Sequence, residues 1–372
     1  MKRLSISILI LCACFVPVAR GQQPACKFSP FWAEFHKQNM QRWNRCEKVL
    51  NVKNVGNLSL KWTYTTGDQV DSSPAVVNGV VYVGSNDGNF YALRANTGAK
   101  LWSYAAGGFA SPAVSNGVVY VASDNVYALN ASTGALLWSY AAGDPNSSPA
   151  VANGVVYVGS YGGNVYALNA STGSLLWSYA TGSYADSSPA VANGVVYVGS
   201  WDGNLYALNA STGALLWSYA TGSVSYSSPA VSNGAVYIGT DIGNMYAVNA
   251  STGALLWSFN LGDEVDSSPA VANGLVYCGS FDNKVWALNA STGAKLWSYT
   301  TSGHVYFPSP AVANGVVYVG SYDGDVYALN ARTGAKLWSY HVGGLYSSPA
   351  VSNGVVYIGS MDGKVYAFGL KK

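Results

Sequence analysis

Apolar residues in this chain fall in short runs cut by turn residues. In Ser187–Tyr219 the sequence reads SSPAVANGVVYVGSWDGNLYALNASTGALLWSY. Runs rich in Val, Tyr and Leu, bounded by Asn-Gly, Asp-Gly-Asn and Ser-Thr-Gly, predict strands rather than helices. The pattern predicts strands over Ser188–Val191, Val195–Gly199, Leu205–Asn209 and Ala214–Tyr219. Asn193-Gly194 suits a hairpin turn, because both residues tolerate positive φ. Pro189 has no N–H to give, so the first strand belongs at a sheet edge. No unit offers ten residues without a Gly or Asn-Gly break, which excludes a helical solenoid.

The pattern repeats. Ser-Pro-Ala recurs at Pro74, Pro112, Pro149, Pro189, Pro229, Pro269, Pro310 and Pro349, eight copies. A tryptophan closes each unit at Trp62, Trp102, Trp138, Trp177, Trp217, Trp257, Trp297 and Trp338, at spacings of 40, 36, 39, 40, 40, 40 and 41 residues. About 40 residues per unit suits a four-stranded propeller blade. The predicted fold is therefore all-β, an eight-bladed β-propeller of antiparallel blades whose first strands line a central channel. Residues Leu58–Tyr64 supply a fourth strand without the first three, and Ser347–Phe368 supply three without a fourth. The N-terminal strand is thus expected to complete the last blade and pin the chain ends together. Seven units also carry Ala-x-x-x-x-Thr-Gly-x-x-x-Trp, as at Ala167, Thr172, Gly173 and Trp177. A tryptophan so placed can cover the neighbouring blade's backbone while its N–H finds a local acceptor.

Composition narrows the class. Of 372 residues only 10% are charged, Gly numbers 42 and Tyr 28, and the formal net charge is +2. Such a chain is too apolar for disorder and carries no basic footprint for nucleic acid. Three regions are predicted: a signal peptide over 1–21, a lead-in with a short helix over 22–56, and the propeller over 57–372. The signal reading rests on Lys2 and Arg3 ahead of an apolar run, Leu4–Val18, too short to span a membrane. Cleavage before Gln22 is one processing route. Lipidation at Cys14 is the other, because Leu11-Cys12-Ala13-Cys14 resembles a lipoprotein box. Either route exports the chain to the periplasm or beyond, with a monomer expected. Cys26 and Cys46 would then meet oxidising conditions and are expected to pair. Cys278, in a strand where other repeats have Val or Ile, reads as a small buried hydrophobe.

The docking motif, with Trp102, Trp138, Trp177, Trp217, Trp257, Trp297 and Trp338, resembles the tryptophan motif of the quinoprotein, or PQQ-type, propeller repeat family. The resemblance covers roughly residues 50–372 and implies eight blades with the indole docked between neighbours. One branch of that family holds pyrroloquinoline quinone (PQQ) and Ca²⁺ and oxidises alcohols or sugars. Its catalytic Asp, its Ca²⁺-ligating Glu and Asn and its adjacent cysteines have no match here residue by residue. A cofactor-free branch includes the lipoprotein scaffold of outer-membrane β-barrel assembly, and this chain is more similar to that branch in length and in its plain loops. The resemblance therefore implies no cofactor, with PQQ and calcium as the alternative.

Internal comparison of the repeats locates a candidate face. First-to-second turns are nearly all Asn-Gly, and third-to-fourth turns nearly all Asn-Ala-Ser-Thr-Gly, so the face they share reads as structural. Asn-Ala-Ser also fits a glycosylation sequon, but the Asn is expected to serve the turn. The other two loop sets vary and are aromatic and acidic. Tyr161, Trp201, Phe281 and Tyr322 occupy equivalent positions in them, and His304 and Tyr306 lie in an interblade loop. Exposed aromatics in a ring read as a binding platform; single Asp residues read as turn formers. His36, His304 and His341 share no metal-ligand spacing. The expected function is a non-catalytic binding or assembly scaffold for a protein or glycan. A PQQ-dependent dehydrogenase and a carbohydrate-binding propeller are the alternatives. A short helix is expected within Pro30–Leu50, with Trp32, Phe35 and Trp43 turned to the propeller as a cap over one blade.

Overall fold

A computed structural model of the chain describes residues 32–35, 41–106, 108–224 and 226–371. Among them are eight sheets of four antiparallel strands, seven with their strands in sequence order and the eighth with its outer strand taken from the N-terminal side, and one of the seven gains a fifth strand. Blade 4 runs from Ala190–Ala192 through Val195–Ser200 and Asn204–Asn209 to Leu215–Ala220. The innermost strand begins two residues later than predicted. Pro189 has no N–H, and the Ser188 N–H is spent on the next blade, donating to Ser228 Oγ at 2.9 Å. Asn193 (φ 51°) and Gly194 (φ 78°) form the expected turn. Asn209 Oδ1 accepts from the N–H groups of Ser211 and Thr212 at 3.0 Å, so this asparagine does serve its turn. Cys278 is fully buried as a free thiol.

The ring closes as the end fragments imply. Leu58–Thr65 pairs antiparallel with Lys364–Leu370 as the outer strand of blade 8. Inner strands lie against one another around the ring, including that of blade 8, Ala350–Ser352, against that of blade 1, Ala75–Val77. Two sets of bonds tie each blade to the next. Trp177 Nε1 donates to Ala210 O at 2.9 Å, and its equivalents repeat this at the other seven interfaces. Nearer the axis, the serine before each repeat proline donates its N–H to the matching serine Oγ of the next blade. The series runs Ser73, Ser111, Ser148, Ser188, Ser228, Ser268, Ser309, Ser348 and back to Ser73, at 2.9–3.0 Å.

The lead-in differs from expectation. The described residues within Pro30–Leu50 do not form a helix over one blade; residues 32–35 and 41–44 fill the channel, and the one short helix among the described residues of the lead-in is the 3-10 turn Val55–Asn57 at its end. In a three-residue inner strand the outer residues bond the second strand, so the middle valine turns its backbone groups to the axis. Trp32 exchanges both backbone bonds with Val76, and Ala33 O accepts from Val114 N. Glu34 Oε2 accepts from Val151 N, and Gln41 Nε2 donates to Val231 O. Gln41 O and Arg42 O accept from Val271 N and Val312 N, and Asn44 Nδ2 donates to Val351 O. Trp43–Asn44 adds a parallel strand to blade 7. The middle valines of blades 1, 2, 3, 5, 6, 7 and 8 are thus capped by one segment. A helix satisfies its own backbone and would have left these channel-facing groups unpaired. Residues 36–40 lie outside the described residues.

Arg42 anchors this plug. It is fully buried with φ 48°. Its guanidinium donates to the carbonyls of Pro310 (2.8 Å), Ser309 (3.2 Å), Pro349 (3.5 Å) and Phe35, and lies over the Phe35 ring. Burial lowers its pKa to about 9, yet every partner is an acceptor, so the group is held as a cation. Cys46 is in a disulfide. Of the described cysteines the other, Cys278, is free, so the partner of Cys46 lies outside the described residues, as does Cys26.

Candidate binding face at the channel mouth

The variable loops meet where the Ser-Pro ends of the inner strands open. Two concentric rings form there. The outer ring is the residue after the Gly-Ser or Gly-Thr pair that ends or follows the second strand: Asn86, Tyr161, Trp201, Asp241, Phe281, Tyr322 and Met361. Its four predicted aromatics are therefore at equivalent places, and Tyr161, Trp201 and Tyr322 are 39%, 39% and 49% exposed. The inner ring was missed in the sequence reading as a ring. It is the residue three before each repeat proline: Asp71, Phe109, Asn146, Asp186, Tyr226, Asp266, Phe307 and Tyr346. That register was visible in the repeat, but only the fold shows that it circles the axis.

The aromatic members touch in an unbroken arc. Centroid separations run Tyr161–Tyr184 5.3 Å, Tyr184–Trp201 5.6 Å, Trp201–Tyr226 5.5 Å and Tyr226–Phe307 5.1 Å. The arc continues through Phe307–Tyr346 at 4.9 Å to Tyr346–Tyr322 at 6.0 Å. Tyr226 and Phe307 enter blades 5 and 7, so their contact is a chord across the mouth rather than a step around it. Tyr306 packs between Phe307 (3.9 Å) and Phe281 (4.3 Å). His304 lies against Phe281 and its Nδ1 donates to the Phe281 carbonyl at 2.6 Å. Its ring is thereby held as a packing element of the arc.

The acidic residues divide by role. Asp202 Oδ2 accepts from Tyr206 OH (2.6 Å) and Gly182 N (2.7 Å), and its Oδ1 from Asn204 N (3.0 Å). Asp87, Asp323 and Asp362 make the same kind of bond to Tyr91, Tyr327 and Tyr366. These are turn locks, as the sequence suggested. Asp186 is different. It is 7% exposed and neither carboxylate oxygen has a hydrogen-bond partner. Burial pushes its pKa up to about 7. Its charge, after burial, helps raise the pKa values of Tyr161 and Tyr226. Asp266 accepts a hydrogen bond from Tyr306, whose pKa is raised first by burial and then by that charge. Beside the arc, over blades 1–3, an open cleft is lined by Ala106, Phe109, Asp124, Asp144 and Asn146.

A second surface also escaped the sequence reading. The outer strands of blades 2–5 expose the pairs Leu136-Leu137, Leu175-Leu176, Leu215-Leu216 and Leu255-Leu256. The equivalent pairs in blades 1, 6 and 7 begin with Lys100, Lys295 and Lys336.

Together the closed ring, the docking tryptophans and the repeat define an eight-bladed propeller of the PQQ-like class. The chain belongs to the family described as outer membrane protein assembly factor BamB, whose pattern it matches over residues 53–147, 122–228 and 222–372. Among curated relatives, the quinoprotein alcohol dehydrogenase PedE of Pseudomonas putida is 41% identical over 70 residues, 18% of this chain and 11% of that protein. The chain thus matches only about a tenth of that relative's length. Among solved structures, BamB from Moraxella catarrhalis superposes with a TM-score of 0.71 at 23% identity, covering 84% of this chain and 99% of that one. The quinohemoprotein alcohol dehydrogenase ADHIIG from Pseudomonas putida HK5 superposes at 0.80 with 18% identity, covering 92% and 80%. Likeness at these identities concerns the fold.

Proposed function

We propose that this chain is an exported binding or assembly scaffold that engages a protein partner through the aromatic face at its channel mouth. The observation that carries the reading is the continuous arc from Tyr161 to Tyr322, half-exposed rings joined across five blades. Rigid aromatic side chains supply contact area at low entropic cost, as at protein interfaces. The plugged channel adds support, because a filled axis leaves the mouth and the outer strands as working surfaces. The match to an outer membrane assembly factor agrees with a scaffold outside the cytoplasm. No helix among the described residues is long and apolar enough to cross a membrane.

The quinoprotein reading fits the mouth poorly. PQQ is a tricarboxylate, and the inner ring presents Asp71, Asp186 and Asp266 among aromatic rings. Like charges at short range in a partly dry site are mutually unfavourable. Among the described residues no three His, Cys, Asp or Glu side chains gather as a metal-ligand group.

Photo-crosslinking from the mouth tests the scaffold. Alanine at Tyr161, Trp201 and Phe281 is expected to abolish recovery of the crosslinked partner while the circular dichroism spectrum is retained. Unaltered recovery would count against this face. Saturable calorimetric binding of PQQ with Ca²⁺ would restore the dehydrogenase reading.

A further inference from the structure

We propose that the mouth over blades 3 to 5 receives an alkylammonium group, a lysine side chain of the partner, held on the rings of Tyr161, Trp201 and Tyr226 and answering the buried carboxylate of Asp186. The proposal rests on the scaffold reading and names the chemistry of its central contact.

Asp186 carries it. A carboxylate that is 7% exposed with both oxygens unpartnered is costly in the free protein. Such a group either takes up a proton or acquires a cation. The protein's own cations do not serve it. Among the described residues the ion pairs are Lys284–Asp282, His341–Asp325 and Lys364–Asp362. The cation–ring contacts of Arg42, Arg45, Lys284 and Lys295 fall on Trp32, Phe35, Trp43 and Trp286.

The rings around Asp186 suit the missing partner. Tyr161, Tyr184, Trp201 and Tyr226 meet edge to face at interplanar angles of 83°, 65° and 85°. Aromatic faces attract cations through their quadrupole. Here the carboxylate adds a net negative charge that reaches the phenols of Tyr161 and Tyr226. A ring layer of low dielectric constant screens that field less than water does. A lysine stem is slender and apolar and can lie along the rings while its head carries the charge. An anion would meet repulsion at the same place, and an uncharged group would leave Asp186 unanswered.

The test is calorimetric titration of the mature chain with an acetylated trilysine peptide and its norleucine counterpart. Saturable binding of the lysine peptide alone is expected, weakened about tenfold by Asp186→Asn. Asp263→Asn, which alters an exposed loop carboxylate of the same face, is expected to leave affinity unchanged. Equal binding of both peptides would overturn the proposal, as would binding indifferent to Asp186→Asn. Ca²⁺ binding lost in Asp186→Asn without peptide binding would overturn it in favour of a metal. The parent reading fails separately. If trilysine does not bind but alanine at Trp201 still abolishes partner crosslinking, only the lysine assignment falls. If trilysine binds through Asp186 but partner recovery ignores Trp201, the scaffold reading of this face falls.

Discussion

The indole of Trp338 donates to the carbonyl of Leu58 at 3.1 Å, across 280 positions of sequence. This is the seam where the ring closes. The bond matches those at the seven other interfaces, so the borrowed strand at Leu58–Thr65 reproduces a continuous blade boundary.

Each interior boundary also pairs a tryptophan with a glycine. A Cβ on Gly173 would approach the Trp138 ring at 2.6 Å, and its φ is +73°. Gly173→Ala is therefore expected to cost about 3 kcal/mol, from displaced ring and strained backbone together. Gly194→Ala has the same backbone problem (φ +78°) with nothing within 4 Å and is expected to cost about 1 kcal/mol. Urea unfolding of the two variants gives the comparison; equal losses would refute the role assigned to the ring.

The seam leaves one group unpaired. Tyr197 OH donates to Ala250 O at 3.0 Å, and six equivalents do likewise. Tyr318 OH is buried without a partner. Blade 8 takes its fourth strand from the other end of the chain, so it has no third-to-fourth turn to offer the acceptor. Tyr318→Phe is expected to be neutral or stabilising, whereas Tyr197→Phe should lose about 1 kcal/mol. Thermal unfolding of the pair reads the difference.

Asp186 should give stability a distinct pH dependence. Its pKa is raised from 3.8 to about 7 in the folded chain. Between those values the folded state holds a proton that the unfolded state has lost, so stability falls as pH rises through that window and levels off above it. The neighbouring phenols of Tyr161 and Tyr226, with pKa values raised above 10, stay neutral there, and Asp266 is the other carboxylate that acts on Tyr226. Asp186→Asn should match the parent near pH 4 and exceed it by up to about 4 kcal/mol at pH 8. A parallel pair of stability–pH curves would refute this.

Arg42 is expected to hold the plug. Arg42→Met removes donors from the carbonyls of Pro310, Ser309 and Pro349 and should cost about 3 kcal/mol. Hydrogen exchange at Val76, Val114, Val271 and Val312, whose N–H groups the plug bonds, should rise selectively. Unchanged protection there would show that the segment stays seated without its arginine.

Much of this was legible in the residues because it is local and repeated. Asn-Gly at 193–194 dictates its turn through φ alone, and Ala-x-x-x-x-Thr-Gly-x-x-x-Trp carries an acceptor, a flat seat and an indole within one stretch. Even the seam followed from counting fragments at the two ends. The turn role of Asp202 was readable for the same reason: its partners Asn204 and Tyr206 are two and four residues away.

The lead-in and the mouth were not legible in that way. The sequence by itself determined the strands, the eight blades and their closure, since each repeat states its own turns and its contact to the next. Only the tertiary structure decided that residues 32–35 and 41–44 enter the channel, because their partners are the backbone groups of inner strands that no side-chain pattern marks. It alone decided that Tyr226 meets Phe307 and that Asp186 is buried without a donor. Those facts depend on how far loops some 40 or 80 residues apart lean across the axis, and the curvature of the closed ring sets that distance.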